Sequence, residues 1–141
     1  MAHIENPHEK PLPEEITGAV REMDITLTVM TPERVVATMP VTPRHHQPFG
    51  LLHGGVSVLL AESIVSFGAY LASPPGKHAV GVEINANHLR PVVDGTVTAE
   101  ATPVHVGRST QVWRVDIRNE ADKPVCVSRC TVAVVDAPAN S

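Results

Sequence analysis

The run of residues 54–73, GGVSVLLAESIVSFGAYLAS, restricts the fold of this chain more than any other feature of its sequence. It contains one carboxylate, Glu62, and no other formal charge. Such an apolar run predicts a buried helix, which we expect to begin near 54–55 and to end near 71–72. The run is also about long enough to cross a membrane, but a carboxylate near the centre of a bilayer is costly. We therefore predict the core helix of a soluble protein, and the role of Glu62 needs an explanation.

Segments of alternating hydrophobicity flank the predicted helix on both sides. A period of two residues is typical of strands that bury one face. Two segments precede the helix and form a hairpin around Thr31-Pro32-Glu33, and four segments follow it. They cover residues 23–29, 35–39, 80–86, 97–101, 111–117 and 125–135.

The order of these segments predicts the fold class. The sequence reads β-β-α-β-β-β-β, which predicts an α+β fold with an antiparallel sheet packed on one long helix. In the third strand, Val80, Val82, Ile84 and Ala86 are predicted to share one face. The sixth strand is apolar on both faces, which favours an inner position in the sheet.

Length and charge set the rest of the organisation. For 141 residues, 43% of them hydrophobic, we expect one domain, over residues 20–135. Residues 1–19 are polar and proline-rich, which predicts a loose tail without a secretory signal but with room for a short helix, and residues 136–141 are predicted to be a second tail. A net charge of −4 without a Lys/Arg run gives no reason to expect nucleic acid or a membrane as a partner. We expect a cytoplasmic protein.

Neither the cysteines nor the histidines predict a metal site. Cys126 and Cys130 fall on one predicted strand, roughly 13 Å apart, so we expect two free, buried thiols. The side chains of the adjacent His45 and His46 tend to diverge, and the chain has no i,i+4 pair of histidines. We expect no metal, and ordinary roles for all histidines except His53.

Glu62 can be interpreted in two ways. It can be a core carboxylate that accepts hydrogen bonds from backbone donors or from an arginine on a neighbouring strand. Alternatively, it is functional, because Gly55 lies close to two helical turns before it and Ser66 lies one turn after it, on a face shared with Leu59. That face would present an N–H donor, a carboxylate and a hydroxyl. Acyl transfer requires such groups.

Three stretches of the sequence carry a family resemblance. They are HQPFGLLHGGVSVLLAES, VGVEINANHLRP and HVGRSTQVWRVDI, and the first holds the pattern Q-P-x-G-x-x-H-G-G…A-E. Over about residues 20–135, the chain resembles the hotdog-fold acyl-CoA thioesterases, in the 4-hydroxybenzoyl-CoA and 1,4-dihydroxy-2-naphthoyl-CoA branch of the phenylacetate-degradation superfamily. The resemblance implies a sheet wrapped around one helix and hydrolysis of an aryl-CoA thioester. It implies no cofactor, because CoA is part of the substrate.

The resemblance also implies catalytic roles. Glu62 would be the nucleophile or the general base, and the Gly55 N–H and the Gln47 side chain would polarise the thioester carbonyl. His53 would lie beside these donors, and Ser66 would orient water or the carboxylate. Both routes need an ionised Glu62, so we expect Ser66 or nearby N–H groups to donate to its carboxylate.

Further residues are implied to contact the substrate. Positions that bind CoA in the family correspond to Gly54, His88, Arg90, Arg108 and Ser109. Arginine pairs well with phosphate, although each of the polar side chains can instead be a solvated residue at a strand end. Phe67 and Tyr70 would help line a flat acyl pocket, unless both belong to the core.

The spacing of the predicted catalytic residues bears on the number of chains in a site. About 10 Å separate Gly55 from Glu62 along a helix, whereas each must come within roughly 3 Å of one thioester. We therefore expect a homodimer as the minimal active unit, and the resemblance implies that two dimers often form a tetramer.

Other functions stay open. A thioesterase acting on carrier-protein-bound acyl groups would meet the same pantetheine arm. A hotdog enoyl-CoA hydratase typically uses an Asp/His pair, and the predicted helix has neither residue beyond its first turn. A non-catalytic acyl-binding module would not need Glu62.

Overall fold

A long helix packs against one face of a seven-stranded sheet in the computed structural model, which describes residues 2–139. The helices are α1 (Gly18–Glu22) and α2 (Gly54–Ala72), and a 3-10 turn covers Pro43–His45. The strands are β1 (His3–Ile4), β2 (Thr26–Met30), β3 (Val35–Pro40), β4 (Lys77–His88), β5 (Thr96–Val106), β6 (Thr110–Arg118) and β7 (Pro124–Asp136). The predicted α+β order is confirmed, with β1 and α1 added before it.

The strands lie in the order β1-β2-β3-β5-β6-β7-β4. All pairs are antiparallel except β1 with β2, which is parallel. β4 is an edge strand of 12 residues, and its only strand neighbour within the described chain is β7. Of the C-terminal tail predicted over 136–141, Asp136 belongs to β7, and 140–141 lie outside the described residues.

The core lies between α2 and the sheet. α2 has the length and mean hydropathy of a membrane span, yet it contacts strands β2 to β7 and fully buries Leu60, Ile64 and Leu71. The sheet thus buries one side of this apolar helix, whereas Val56 and Leu59 are only partly buried. At the point of closest approach, a Cβ on Gly68 would lie 2.6 Å from the Trp113 ring, so glycine is what lets the helix cross this side chain.

The first strand begins later than predicted. Met23 caps the end of α1, and Asp24 has a φ of 54°, in the left-handed region. Because of this turn, the extended conformation starts only at Thr26, where β2 begins. The alternation that starts at Met23 therefore predicts a strand that begins three residues too early.

β4 does not keep the single apolar face that we predicted. Its register against β7 shifts between Gly81 and Glu83, which makes Val82 an extra, bulged residue. Val80 and Val82 are 48% and 65% exposed, whereas Ile84 packs on the core. The bulge reverses the alternation partway along the strand.

The N-terminal segment is not the loose tail that its composition suggested. Lys10 is only 5% exposed, and its Nζ donates to the carbonyls of Tyr70 at 2.7 Å, Lys77 at 2.7 Å and Ser73 at 3.3 Å. The ammonium also lies 3.8 Å from the centre of the Tyr70 ring. A helix leaves carbonyls without partners at its C-terminus and favours positive charge there. Lys10 thus caps α2 and ties the segment down.

Replacing Lys10 with methionine is expected to lower the free energy of unfolding by about 2 kcal/mol, because buried carbonyls lose their donor while the apolar stem is kept. Urea unfolding followed by circular dichroism measures the change. Lys123 is exposed and serves as the control, since Lys123→Met should stay within about 0.5 kcal/mol of wild type. Equal stability of the Lys10→Met protein and the wild type would show that the cap contributes nothing.

Candidate active site

The sequence His53-Gly54-Gly55 forms the start of α2. His53 is the N-cap residue, and its Nδ1 accepts a hydrogen bond from the Gly55 N–H at 2.8 Å. Its carbonyl accepts from the Val56 and Ser57 N–H groups, at 3.0 and 3.2 Å. The Gly54 N–H has no partner among residues 2–139. The free donor at this helix end is therefore Gly54, while the predicted donor, Gly55, is engaged by His53.

Gln47 lies in the turn that leads into α2. Its Oε1 accepts hydrogen bonds from the Phe49 N–H at 2.5 Å and the Leu51 N–H at 3.3 Å. The Gln47 N–H in turn donates to the Leu51 carbonyl at 2.7 Å. These bonds fix the side-chain amide by its oxygen. Its Nε2 has no partner in the described chain, so both of its hydrogens can be donated to a ligand.

A cavity of about 340 Å³ lies beside these free donors. Its polar lining comes from Gln47, Gly54, Ser57, His88 and Arg90, and the rest is leucine, proline and valine. The positive end of a helix, an amide donor and a cation therefore meet at one place, which suits a ligand carrying negative charge.

His88 and Arg90 come from the end of β4 and the residues just after it. The His88 ring lies against Gly54, with Nε2 2.8 Å from the position a Cβ would take. The Arg90 Nη1 donates to the Pro124 carbonyl at 2.7 Å. No carboxylate pairs with Arg90 among residues 2–139, so its charge is available to a phosphate.

Glu62 lies two turns further along α2 and outside this cavity. Its Oε1 lies against Gly81 of β4, and no group within residues 2–139 donates to its carboxylate. Ser66 donates to the Glu62 main-chain carbonyl at 3.0 Å instead, so the expected bond to the carboxylate is absent. The interpretation as a satisfied core carboxylate fails, because this carboxylate has neither a donor nor an arginine.

Cys130 is a second reactive side chain on which the charge of Glu62 acts. Burial, and then the charges of Glu62 and Glu83, raise the pKa of this thiol to about 11. The thiol therefore stays protonated at neutral pH and is a poor nucleophile beside Glu62. Cys126 and Cys130 are both buried and free, as predicted.

The register of the sheet separates the predicted site residues. His88 pairs with Cys126 of β7, whereas Thr110, next to the loop 107–109, pairs with Ala133. Seven residues along a strand span roughly 23 Å. Arg108 and Ser109, which are exposed in that loop, therefore lie at the opposite end of the sheet from His88.

Glu62 lies toward the same end of the sheet as this loop, because Gly81, which it contacts, pairs with Val132. The predicted residues thus fall into two groups. The helix-start group comprises Gln47, His53, Gly54, Gly55, His88 and Arg90. The mid-helix group comprises Glu62, Ser66, Arg108 and Ser109.

Comparisons with known proteins cover most of the chain. The sequence profile of the family described as Thioesterase superfamily matches residues 49–126. A Haemophilus influenzae protein named putative esterase is 52% identical over 119 residues, which are 84% of this chain and 86% of that protein. The chain belongs to the thioesterase superfamily.

Two further relatives support the assignment of this chain to the thioesterases. The 1,4-dihydroxy-2-naphthoyl-CoA hydrolase of Escherichia coli is 45% identical over 113 residues, 80% of this chain and 83% of that protein. The crystal structure of a Haemophilus influenzae thioesterase matches with a TM-score of 0.80 and 52% identity, over 84% of this chain and 82% of that chain. The predicted family, the hotdog fold and the enzyme class are confirmed. The chain is a thioester hydrolase that acts on CoA thioesters.

Within one chain of this thioesterase, the two aromatic residues predicted to line the acyl pocket do not share a cavity. Phe67 lines an apolar cavity of about 350 Å³ together with Ile16 and Leu27. The Tyr70 hydroxyl donates to the Pro11 carbonyl at 2.6 Å. Both side chains face the N-terminal segment, and neither reaches the cavity beside Gln47.

Sequence analysis missed two residues of this thioesterase. Ser57 is 2% exposed and lines the cavity, and its hydroxyl has no partner among residues 2–139. Its spacing of three from Gly54 was an available signal, since such residues share a helix face. Gly81 is the other, and a glycine inside a strand often marks a close approach.

The histidines outside the site serve the turn before α2. His45 is fully buried, and its Nδ1 accepts from the Thr42 N–H at 3.2 Å while its Nε2 donates to the Met23 carbonyl at 2.9 Å. His46 bonds the Val93 carbonyl through Nε2 at 2.7 Å. The adjacent rings diverge, as predicted. The described residues contain no group of three or more His, Cys, Asp or Glu side chains placed to hold a metal ion.

Proposed function

We propose that this thioesterase hydrolyses an aryl-CoA thioester, of the hydroxybenzoyl or dihydroxynaphthoyl type, to the free acid and CoA. The observation that carries the proposal is the pair of free donors, the Gln47 Nε2 and the Gly54 N–H, at the start of α2. Donors fixed in advance at the positive end of a helix suit a carbonyl oxygen that becomes an oxyanion. Arg90, without a carboxylate partner, would meet a phosphate of CoA nearby.

The thioester carbonyl oxygen accepts from the Gln47 Nε2 and from the Gly54 N–H, which is the donor left free at the start of α2. The Gly55 N–H stays bonded to the His53 Nδ1, and this bond holds the first turn of the helix in place. These donors favour the tetrahedral state over the ground state because negative charge is greatest on the oxygen there.

Glu62 performs the attack by one of two routes. Its carboxylate adds to the carbonyl carbon and gives a mixed anhydride that water then hydrolyses, or it removes a proton from the water that adds. In both routes the C–S bond breaks, a C–O bond to a water oxygen remains, and the thiolate of CoA gains a proton. No cofactor takes part in this scheme.

Each site is formed by two chains in this proposal. The helix-start and mid-helix groups are too far apart in one chain, as the register of β7 and the rise of α2 indicate. β4 offers a long unpaired edge with exposed Val80 and Val82. A two-fold axis at that edge would set the two α2 helices antiparallel, with the Glu62 of one chain near the Gln47 of the other. A homodimer is the minimal active unit, and the tetramer is a pair of such dimers.

Aryl-CoA substrates are expected to exceed long saturated acyl-CoAs in kcat/KM by at least about tenfold, because a pocket shaped for a flat ring excludes a long chain. The name of the Escherichia coli relative, a 1,4-dihydroxy-2-naphthoyl-CoA hydrolase, supports an aromatic acyl group. Release of free thiol from benzoyl-CoA and from palmitoyl-CoA measures the ratio. A profile that peaks at palmitoyl-CoA would rule out the aryl preference.

The same assay separates CoA from carrier-protein substrates when the benzoyl group is offered on CoA, on a carrier protein and on bare pantetheine. CoA should be preferred, since Arg90 and Arg108 have no carboxylate partners within residues 2–139 and can meet phosphates that pantetheine lacks. A preference for the carrier protein would replace the CoA assignment. The proposal includes a cytoplasmic location, which suits two free cysteines.

A further inference from the structure

β4 passes the Glu62 carboxylate at a residue without a side chain. A Cβ built on Gly81 would lie 2.5 Å from Glu62 Oε1, 3.5 Å from its carboxyl carbon and 3.9 Å from its Cγ. Real Cβ atoms do not approach an oxygen so closely. The carboxylate therefore occupies the space that any other residue at position 81 would fill.

The backbone at Gly81 does not itself require glycine. The glycines of this chain with positive φ are Gly18, Gly50, Gly76 and Gly95, and Gly81 is not among them. Apart from the neighbouring residues of the chain, the three atoms nearest to the missing Cβ all belong to Glu62. The contact with Glu62 is thus the structural feature that alanine would disturb.

The bulge in β4 follows directly after this contact. Val82 is the extra residue, so the strand turns outward there, and Val82 is 65% exposed. Bulges re-aim strands and occur often beside active sites. In this strand the bulge comes next to the one residue whose missing side chain makes room for Glu62.

We propose that Gly81 is a positioning residue for thioester hydrolysis: its missing side chain leaves the space in which the Glu62 carboxylate lies, close against β4. No hydrogen bond within residues 2–139 holds the carboxylate, so this contact fixes its place by shape. The inference rests on the proposed role of Glu62. It adds a residue that acts on the reaction only through its contact with Glu62.

The test is Gly81→Ala in the full-length protein, assayed with benzoyl-CoA. A methyl group would move the carboxylate by about 1 Å, so kcat should fall about 10- to 100-fold while KM stays within about threefold. Val104→Ala is the matched control, because Val104 is also an exposed valine at a bulge but lies on β5, away from the β4 edge, and it should keep kcat within about twofold of wild type. Sedimentation of both variants checks that they associate as the wild type does.

Glu62→Asp completes a double-mutant cycle, because its carboxylate is one methylene shorter and withdraws from position 81. The proposal expects Gly81→Ala to lower kcat about 10- to 100-fold beside Glu62 but less than about threefold beside Asp at 62. If Gly81→Ala unfolds while the double variant folds, the contact is supported. An equal factor in both backgrounds, an unchanged kcat in Gly81→Ala, or unfolding of both proteins would overturn it.

A wrong role for Glu62 and a wrong role for Gly81 would give different results. If Glu62→Asp and Glu62→Gln both keep the wild-type kcat, the proposed function itself is wrong. If these two variants are impaired and Gly81→Ala is not, Glu62 keeps its role and only the positioning by Gly81 is lost.

Discussion

Replacing Glu62 with glutamine is expected to lower kcat by at least ~10³-fold while the protein stays folded, because the amide has nearly the same shape as the carboxylate but can neither attack nor accept the proton of water. Glutamine also fits the space against Gly81, so the surrounding strand is left in place. Steady-state hydrolysis of benzoyl-CoA, with thermal unfolding as the check on structure, measures the effect.

Glu83→Gln is the matched control for this experiment. Glu83 is an exposed carboxylate on β4 whose charge also reaches Cys130, and it accepts a hydrogen bond from Asn85 Nδ2 at 3.2 Å. Its replacement should leave kcat within about twofold of wild type. Near-normal turnover in Glu62→Gln would show that neither the nucleophilic nor the general-base route is correct.

Two inactive variants are expected to restore each other when they share a dimer. Gln47→Ala lacks a donor of the helix-start group, and Glu62→Ala lacks the carboxylate of the mid-helix group. If the two groups of one site come from different chains, a hybrid dimer holds one intact site and one doubly defective site. Random association makes about half of the dimers hybrids, so activity should return to about a quarter of wild type.

The experiment unfolds the two variants, mixes them in equal amounts, refolds them and measures hydrolysis of benzoyl-CoA. Each variant refolded alone is the control and should stay at about a tenth of wild type or less, as expected when about 10- to 10³-fold is lost. Different affinity tags on the two chains report how many hybrids form. A mixture that contains hybrids but stays as inactive as its parents would place Gln47 and Glu62 in the same chain.

The sequence was sufficient for the helix and for most of the strands because each is a long element with one clear period. The apolar run predicted α2 to within a residue at each end. The prediction of one apolar face on the third strand failed at Val82, where one extra residue reverses the alternation. A bulge leaves the residue types of a strand unchanged, so the sequence does not show it. The prediction of a loose N-terminal tail failed at Lys10 for a different reason. A charged residue in a proline-rich segment is typical of a solvated tail. The partners of Lys10 lie at the end of α2, some sixty residues away along the chain.

The sequence predicted a set of candidate site residues, which stays a prediction, but it could not predict how they are arranged. The pattern around His53 and Glu62 identified residues whose chemistry suits acyl transfer. It could not show that His53 occupies the Gly55 N–H or that Ser66 bonds a carbonyl, because alternative hydrogen bonds of one side chain differ little in sequence signal. The register of β7 with β4 and β6 likewise places His88 and the loop 107–109 at opposite ends of the sheet. The spacing of residues along the chain does not reveal this register.

The two edges of the sheet differ in a way that limits how large an assembly can grow. One edge is the twelve-residue β4, and the other is the two-residue β1, which covers only part of β2. β2 has five residues and a register shift between Leu27 and Val29. Two copies that join through β4 about a two-fold axis leave only the short, irregular edges exposed, and such edges are poor templates for another strand. If the chain pairs as proposed, joining through this sheet is self-terminating, and we expect a higher protein concentration to yield more pairs rather than longer fibres.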